Sequence, residues 1–419
     1  MQGTSNMGSA MAARDSLYFV VFILSMAFIP LFAGRWWRKW YPLVTVAVAL
    51  PCLISVGLKL PAALWVAMEE YVAFIALIGA LYIISGGIDL ETPARGRPVS
   101  NVLFLLTGAV LANFLGTTGA SVVLIRPLLR ANAWRRHIAH LYVFFIILVS
   151  NLGGMLTPLG DPPLFLGYLH GVPFLWTLTL FPIWGTSVAV LLGVFWLIDC
   201  YQVRKEPLLP QARGDAAECS PHFGLHGARN VVLLVVVIVS LFLPAAIRIA
   251  IMVLAALLSV RATPEWIRKR NDFTYHPIIE VAILFAGIFI TIVPVQELVR
   301  SAGGAGFVSS PAACFWSAGM MSSVLDNAPT YLIFFEAAKE SAAATATLVA
   351  GVPAPLLTAI AIGCLMMGAN TYIGNGPNFM VKAICEDEGI RMPSFLGYTG
   401  WVLLLLLPLY GLITWVFLL

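Results

Sequence analysis

The sequence contains little charge. Only 11% of its 419 residues are Asp, Glu, Lys or Arg, whereas 60% are hydrophobic, and the mean hydropathy is +0.92. A soluble domain carries about 25% charged residues, so the composition excludes a soluble fold. The net charge is only +4, and the basic residues fall between apolar runs. This distribution is typical of membrane orientation rather than of nucleic-acid binding.

Several kinds of chemistry are also missing. The six cysteines are scattered, without CxxC or metal-ligand spacing, which argues against a redox or zinc site. The sequence contains no glycine-rich phosphate loop, so ATP-driven transport is unsupported. Ser150 and Thr157 have no nearby histidine partner, which makes an intramembrane hydrolase improbable. We therefore expect no enzyme activity.

About ten apolar runs are long enough to cross a bilayer, which requires ~20 residues. We predict an all-α polytopic membrane protein with about ten transmembrane helices plus two re-entrant hairpins, arranged as two inverted repeats with two unwound helices. Basic loops on one side favour two spans in residues 230–260 over one. The predicted parts are an N-terminal tail (1–16), peripheral scaffold helices (17–60), a first repeat (61–200) with a hairpin (101–125) and an unwound helix (137–166), a polar cytoplasmic loop (201–229), connecting helices (230–270), and a second repeat (271–419) with a hairpin (307–338) and an unwound helix (353–381).

Residues 150–163 interrupt one of the apolar runs. This stretch holds three glycines, three prolines and the carboxylate of Asp161. Glycine and proline break the helical hydrogen-bond ladder, and a bilayer tolerates such a break only where protein or a water-filled cavity covers it. A broken helix with an acid at the break is typical of a transporter site. The alternative is a proline-kinked helix followed by a turn.

A second copy of this pattern favours the transporter interpretation. Each half contains a glutamate-bearing span, then a polar-centred segment, then a broken helix. The matched positions are Glu70 and Glu280, Thr117 and Asn327, and Thr157 and Thr371, and the offset between the halves is nearly the same for all three pairs. Because the loop charges place the two glutamate spans in opposite directions, the halves are predicted to be inverted repeats, whose matched breaks indicate a midplane site.

The polar side chains of these breaks define the candidate site. Hydroxyl, amide and carboxylate oxygens suit a hard cation such as sodium, and helix N-termini suit an anionic group. The predicted cation- or proton-binding residues are Asp161, Asp326, Asn327, Asn151, Thr157, Asn370 and Thr371, with Asp161 and Asp326 as the sodium-binding acids. The predicted substrate-binding residues are Thr117, Thr118, Ser150, Thr330, Asn375 and Asn378. Each acid also has an alternative role as the N-cap of a following helix.

At these motifs the sequence resembles the ion transporter superfamily over about residues 60–417. Residues 150–163 are similar to its first unwound helix, residues 325–330 to its second hairpin tip, and residues 374–378 to its second unwound helix. The superfamily includes NhaD-type sodium/proton antiporters, citrate and dicarboxylate symporters, the arsenite permease and the melanosomal P protein. Bacterial proteins with this pattern resemble ones described both as citrate transporters and as sodium/proton antiporters.

The hairpin tips differ from those of the dicarboxylate symporters, which carry Ser-Asn-Thr at both. Here residues 116–118 are Gly-Thr-Thr and residues 326–328 are Asp-Asn-Ala, and the added acid favours cation chemistry. We therefore expect a secondary active transporter, in the first place a sodium/proton antiporter. The alternative is a sodium- or proton-coupled transporter of citrate or another carboxylate.

The resemblance also implies an elevator-type motion of a transport unit against a scaffold, in a homodimer. We expect the protein in the lipid bilayer of a bacterial inner membrane. Its other partners would be small ions or a small carboxylate, and no nucleic acid. We expect no cofactor apart from sodium as the transported or coupling ion.

Overall fold

The structure is a computed structural model that describes residues 2–91, 96–206, 224–301, 308, 310–340 and 347–419. Within these residues, nine helical stretches are long and apolar enough to cross a bilayer, which confirms an all-α polytopic membrane protein. Residue 307, the predicted start of the second hairpin, and residues 207–223 of the predicted polar loop lie outside the described residues.

The described helices follow one another with two short β-pairings between them. The α-helices are α1 (Gln2–Lys59), α2 (Pro61–Ser85), α3 (Pro98–Asn132), α4 (Ala139–Leu148), α5 (Pro162–Leu169), α6 (Phe181–Val203), α7 (Ala228–Ser240), α8 (Ala245–Ala262), α9 (Glu265–Arg270), α10 (His276–Thr291), α11 (Val293–Ser301), α12 (Pro311–Ser322), α13 (Asn327–Glu340), α14 (Ala354–Met367), α15 (Gly376–Asp387) and α16 (Phe395–Ile413). The antiparallel strand pairs are β1 (Asp89–Glu91) with β2 (Gly224–His226), and β3 (Leu348–Val349) with β4 (Val352–Pro353).

Helix α1 contains two antiparallel spans. The backbone leaves the helical region at Ala33 (φ −139°, ψ 49°). The Asp15 carboxylate then accepts hydrogen bonds from Ser55 at 2.6 Å and Lys59 at 3.0 Å, which joins the beginning of α1 to its end. Residues 2–16, predicted as a tail, therefore continue the first span as helix, because the buried Asp15 pairs with the second span.

Helices α7 and α8 pack as a second antiparallel pair. The Asn230 amide, near the start of α7, donates to Thr263 Oγ1 at 2.9 Å, just after the end of α8, and Ser259 donates to Asn230 Oδ1 at 2.7 Å. The chain reverses between them at residues 241–244. Residues 230–260 thus form two helices rather than one long tilted helix.

Helix α3 is the first re-entrant hairpin. Its tip is Gly116, whose φ of +74° lies in the region that favours glycine because it has no Cβ. The two arms return to the same end, where the amides of Asn101 and Asn132 bond each other at 3.1 and 3.0 Å. The hairpin therefore extends beyond the predicted 101–125, from 98 to 132.

Helices α12 and α13 form the second hairpin, which enters from the opposite face. The contacts of helix α2 show from which face each hairpin enters. In its first half, Glu70 faces His170, which also faces Glu336 of α13. After its end, Asp89 pairs with Arg130 of the first hairpin. The opposite entry of the two hairpins is what inverted repeats require.

The two unwound helices have nearly the same backbone at their breaks. In each, an α-helix gives way to a short 3₁₀ turn, at Leu152–Leu156 and at Gly368–Asn370, and then to an extended stretch. Thr157 and Thr371 have φ, ψ of −141°, 154° and −137°, 163°. The repeat inferred from residue offsets is therefore present in the backbone geometry.

Candidate functional site

Asp161 lies at the centre of the molecule, where the four polar tips meet. It is 2% exposed and is the residue before α5. Its Oδ1 accepts hydrogen bonds from Thr117 Oγ1 at 2.6 Å and Asn375 Nδ2 at 3.3 Å, and its Oδ2 accepts from Asn327 Nδ2. Three other elements thus hold one buried carboxylate with neutral donors.

The residues around Asp161 all stand at helix N-termini. Thr117 begins the second arm of the first hairpin, Asn327 begins α13, and Asn375 precedes α15, while Asp161 itself precedes α5. The N-terminus of a helix carries partial positive charge and unpaired N–H groups. Four such ends converging on one point favour an anionic group there, whether the Asp161 carboxylate or a bound anion.

Asn375 is the counterpart of Asp161 in the second repeat. The two have nearly the same backbone angles, φ −149° and ψ 147° for Asp161, and φ −152° and ψ 138° for Asn375. Besides Asp161, the Asn375 amide donates to Ser150 O at 3.1 Å and Asn151 Oδ1 at 3.2 Å. The pseudo-twofold axis therefore passes between an acid and an amide, so the symmetric pair carries one carboxylate rather than two.

Asn151 and Asn378 join the two unwound helices. The Asn151 amide donates to Ile146 O at 2.8 Å and to Asn378 Oδ1 at 2.7 Å. The Asn378 amide donates to the carbonyls of Gly368 and Thr371, each at 3.0 Å. These amides donate hydrogen bonds to backbone carbonyls that lose their helical partners at the breaks. The interior of a membrane protein requires such groups to be paired.

Thr157 and Thr371, one in each break, form hydrogen bonds between each unwound helix and the adjacent hairpin. Thr157 Oγ1 donates to Asn113 O at 2.5 Å, and Thr371 Oγ1 donates to Ser323 O at 2.6 Å. Asn370 is bonded there too, donating to Ser323 Oγ at 2.9 Å. The structure therefore engages Thr157, Asn370 and Thr371, predicted as cation ligands, with hairpin atoms rather than with Asp161.

Asp326 caps α13 in this structure. It is half-buried, and its Oδ1 accepts the backbone N–H of Ala328 at 3.0 Å. Thr330 donates to the Asp326 carbonyl at 3.1 Å. The capping role left open by the sequence is present, and it places a second carboxylate next to Asn327, whose amide donates to Asp161.

The remaining predicted site residues lie around the first hairpin tip. The hydroxyls of Ser150 and Ser121 are 2.8 Å apart, and Ser121 donates to Thr117 O at 2.7 Å. Thr118 lines a small cavity of about 30 Å³ beside Asp161. Since one water needs ~10–15 Å³ of such space, this cavity fits a cation or a water or two. A citrate-sized ligand requires the site to open.

The cavity lies between the hairpin tip and helix α2. Its walls also include the chain just before α5. The lining residues are Leu77, Ile78, Leu81, Tyr82, Leu115, Gly116, Thr117, Thr118, Gly119, Pro158, Leu159, Gly160, Asp161, Pro162 and Phe165. Movement of the tips against α2 would change its size.

One acceptor at the site has no partner among the described residues. The Oδ1 of Asn327 is buried and accepts no hydrogen bond from them, while the amide of the same side chain donates to Asp161. A buried unpaired acceptor is costly, and together with the carboxylate and the Thr117 hydroxyl it belongs to the oxygen set that sodium prefers. The site chemistry therefore fits a cation.

The two basic residues nearest the tips in sequence pair elsewhere. Arg126 donates to Asn271 O at 2.7 Å and pairs with Asp272 at 3.0 Å, and Lys382 pairs with Glu386 at 2.7 Å. Neither contributes positive charge to Asp161. The groups that face the centre from the tips are amides, hydroxyls and helix ends.

Asn113 is a site-supporting residue that the sequence interpretation missed. Its Oδ1 accepts the N–H of Leu156 at 2.8 Å, and its carbonyl accepts from Thr157. Ser323 stands at the matching position of the second repeat and receives the equivalent bond from Thr371. Extending the repeat offset from the tips back along each hairpin would have found the pair.

Two hairpins entering from opposite faces, two unwound helices and a buried acid between them define a secondary transporter in the membrane. The chain belongs to the family described as "Putative citrate transport", whose model matches residues 8–418. A search of curated proteins finds no match.

Proposed function

We propose that this protein is a secondary active transporter of citrate or a similar small carboxylate, with the coupling cation bound at Asp161. The observation that carries the proposal is the buried Asp161 carboxylate, bonded to neutral donors where four helix N-termini converge. The helix ends and amides favour a substrate carboxylate. The family description supports the same substrate class.

The position of Asp161 supplies a reason for coupling. An ionised Asp161 repels an anionic substrate at the same helix ends, and in a site of low dielectric this repulsion is strong. A proton or a sodium ion on Asp161 removes it, so cation and carboxylate bind more tightly together than apart. The unpaired Asn327 Oδ1 supplies a further ligand for sodium. Asp326 is the second candidate acid.

Sodium/proton exchange is the second candidate function, and a specific observation favours it. The partners of Asp161 are neutral, and Arg126 and Lys382 pair elsewhere, whereas a polycarboxylate is commonly matched by positive side chains. One acid that takes either a proton or sodium is the minimum that exchange requires. The small cavity beside Asp161 also suits a cation.

We further propose an elevator-type mechanism in a homodimer, in a bacterial inner membrane. The scaffold comprises α1, α2, α7, α8, α10 and α11, and the moving unit comprises the hairpins, the unwound helices, α6 and α16. The position of the cavity between α2 and the first hairpin tip supports this division, because the substrate site of such a transporter opens along that boundary.

A ligand screen by thermal unfolding separates the two functions. Purified protein is heated with sodium, lithium, citrate or succinate, alone and in pairs. A ligand at about 100 times its Kd stabilises the folded state by ~2.7 kcal/mol. We expect citrate to raise the melting temperature, and to raise it more at low pH or with sodium. Stabilisation by sodium with citrate inert would reverse the order of the two candidates.

A further inference from the structure

A second buried group of ionisable residues lies away from Asp161, where α2 meets α5 and α13. His170 follows α5, Glu70 belongs to α2, and Glu336 belongs to α13. His170 Nε2 is 3.5 Å from Glu70 Oε1 and 3.9 Å from Glu336 Oε1. The side chains are only 13%, 19% and 5% exposed, in that order. One imidazole thus stands between two carboxylates of different helices.

The imidazole of His170 is oriented by its other nitrogen. Nδ1 lies 3.0 Å from the Leu166 carbonyl, and because a carbonyl only accepts, Nδ1 carries the hydrogen. In a neutral ring Nε2 would then present a lone pair to two carboxylates, which is repulsive. A proton on Nε2 turns both contacts into attraction. The geometry is therefore that of a proton-binding site.

Charged residues of α2, α11 and α13 lie around this group. Arg300 of α11 is 3.8 Å from Glu336 Oε2, an oxygen that is buried and has no hydrogen bond to any residue that the structure describes. Arg300 is mostly exposed and is shared with two further acids. The other charged groups nearby are Glu69 on α2, Glu297 on α11 and Glu340 on α13, while the ring of Phe335 packs against the imidazole. When His170 is protonated, the carboxylates of Glu70 and Glu336 have two cations beside them, His170 and Arg300. When His170 is neutral, only Arg300 remains.

We propose that His170, Glu70 and Glu336 form a proton-binding latch between α2 and the unit that carries α5 and α13. Binding of the proton holds the two together, and its loss releases them. The proposal rests on the two-unit motion proposed above, since Glu70 belongs to the scaffold and the other two residues to the moving unit. It is a second proton site, separate from the one at Asp161.

In the part of the chain that the structure describes, the latch is present at one face only. Glu280 stands at the equivalent place of Glu70 in the second repeat, and its histidine partner is His276, 3.8 Å away on the same helix. That pair is more exposed and joins no two units. A proton at His170 therefore favours one of the two end states of the motion and leaves the other unchanged.

The test is amide hydrogen exchange of residues 164–169 in the full-length protein at about pH 5.5 and about pH 8, because histidine side chains commonly change charge within this range. Rates are corrected for the chemical dependence of exchange on pH. In the wild type, we expect exchange to be several-fold faster at the higher pH, because the two contacts are lost with the proton. His170→Gln should remove this difference, and the matched control His276→Gln should retain it.

A second variant separates a latch from a merely structural contact. In Glu70→Gln the amide N–H can donate to the Nε2 lone pair, so the contact holds without a proton. We expect slow exchange at both pH values for Glu70→Gln, and exchange that does not change with pH for His170→Gln, whose amide can donate to the carboxylates whatever the pH. A full pH difference retained in His170→Gln, or its loss in His276→Gln, would overturn the proposal. The readout needs no substrate, so failure of citrate transport leaves it interpretable.

Discussion

Replacing Asp161 in two ways separates its structural role from its transport role. Asp161 accepts hydrogen bonds from Thr117, Asn327 and Asn375. Asp161→Ala removes both oxygens that accept these three hydrogen bonds, whereas Asp161→Asn keeps the shape and one carbonyl oxygen. The Asn327 side chain can turn so that its unpaired Oδ1 accepts from the new amide, and the Thr117 hydroxyl can donate or accept.

The expected magnitudes differ by several kcal/mol. Each buried donor left without an acceptor costs ~1–3 kcal/mol, so the loss of the acceptor for three donors in Asp161→Ala should lower the free energy of unfolding by about 3–9 kcal/mol. Asp161→Asn loses only the charge-assisted part of its hydrogen bonds, about 1–2 kcal/mol, and removal of a buried charge offsets part of that loss. The first variant should therefore be strongly destabilised and the second nearly as stable as the wild type.

The two variants are compared by thermal unfolding in one detergent and by gradient-driven uptake in proteoliposomes. We expect Asp161→Asn to unfold close to the wild-type temperature and to show no gradient-driven uptake. If Asp161→Asn unfolded as early as Asp161→Ala, the charge and not the hydrogen-bond geometry would hold the site. Wild-type uptake by Asp161→Asn would refute the assignment of the coupling cation to this residue.

Three further predictions concern other parts of the molecule. Asp326→Asn should keep the wild-type melting temperature, because asparagine caps a helix as well as aspartate. Its uptake should fall at least about tenfold, and unchanged uptake would show that Asp326 does not belong to the site. Gly116→Ala should lower stability by ~1–3 kcal/mol because φ is +74°, whereas Gly185→Ala, with open space around its Cβ, should change the melting temperature little. Burial acts to raise the pKa of Glu206, but backbone amide donors outweigh it and hold the pKa below its usual range. Its stabilisation should therefore be present at neutral pH and fade below about pH 4, and Glu206→Gln should remove that step from a plot of melting temperature against pH.

The breaks and their symmetry could be predicted because they depend on local chemistry and spacing. Glycine and proline in an apolar run mark the unwound stretch whatever the tertiary structure. The repeat offset pairs Asp161 with Asn375, and the structure brings these two side chains together at 3.3 Å. The difference between the acid in the first repeat and the amide in the second could therefore be predicted from the sequence.

The direction of individual side chains could not be predicted. Thr157 and Thr371 are suitable cation ligands by type, but their hydroxyls bond hairpin carbonyls, and only the packing of a hairpin against a break determines that choice. Thr117 is predicted to contact substrate, and the structure adds that its hydroxyl donates to Asp161. In each case the sequence predicted that the residue lies near the site, but not which atom its hydroxyl bonds.

Contacts between charged residues that are far apart in the chain could not be predicted from the sequence either. The histidines have no ligand spacing along the chain, so the sequence gives no sign of their partners. Arg135, His140 and Asp199 form a buried cluster, with Asp199 Oδ1 2.5 Å from the arginine and 2.8 Å from the histidine. His170 likewise meets Glu70 from another helix. Such contacts depend on which helix ends share a face, and that follows from the topology rather than from spacing.

The most direct test of the account is uptake of radiolabelled citrate into proteoliposomes under an imposed inward proton gradient or an inward sodium gradient. Wild type, Asp161→Asn and empty liposomes are measured side by side, with a pH-sensitive dye inside. We predict citrate accumulation that requires one of the two gradients and is absent in Asp161→Asn. Citrate accumulation that persists in Asp161→Asn, or sodium-driven proton movement without any citrate uptake, would contradict the account.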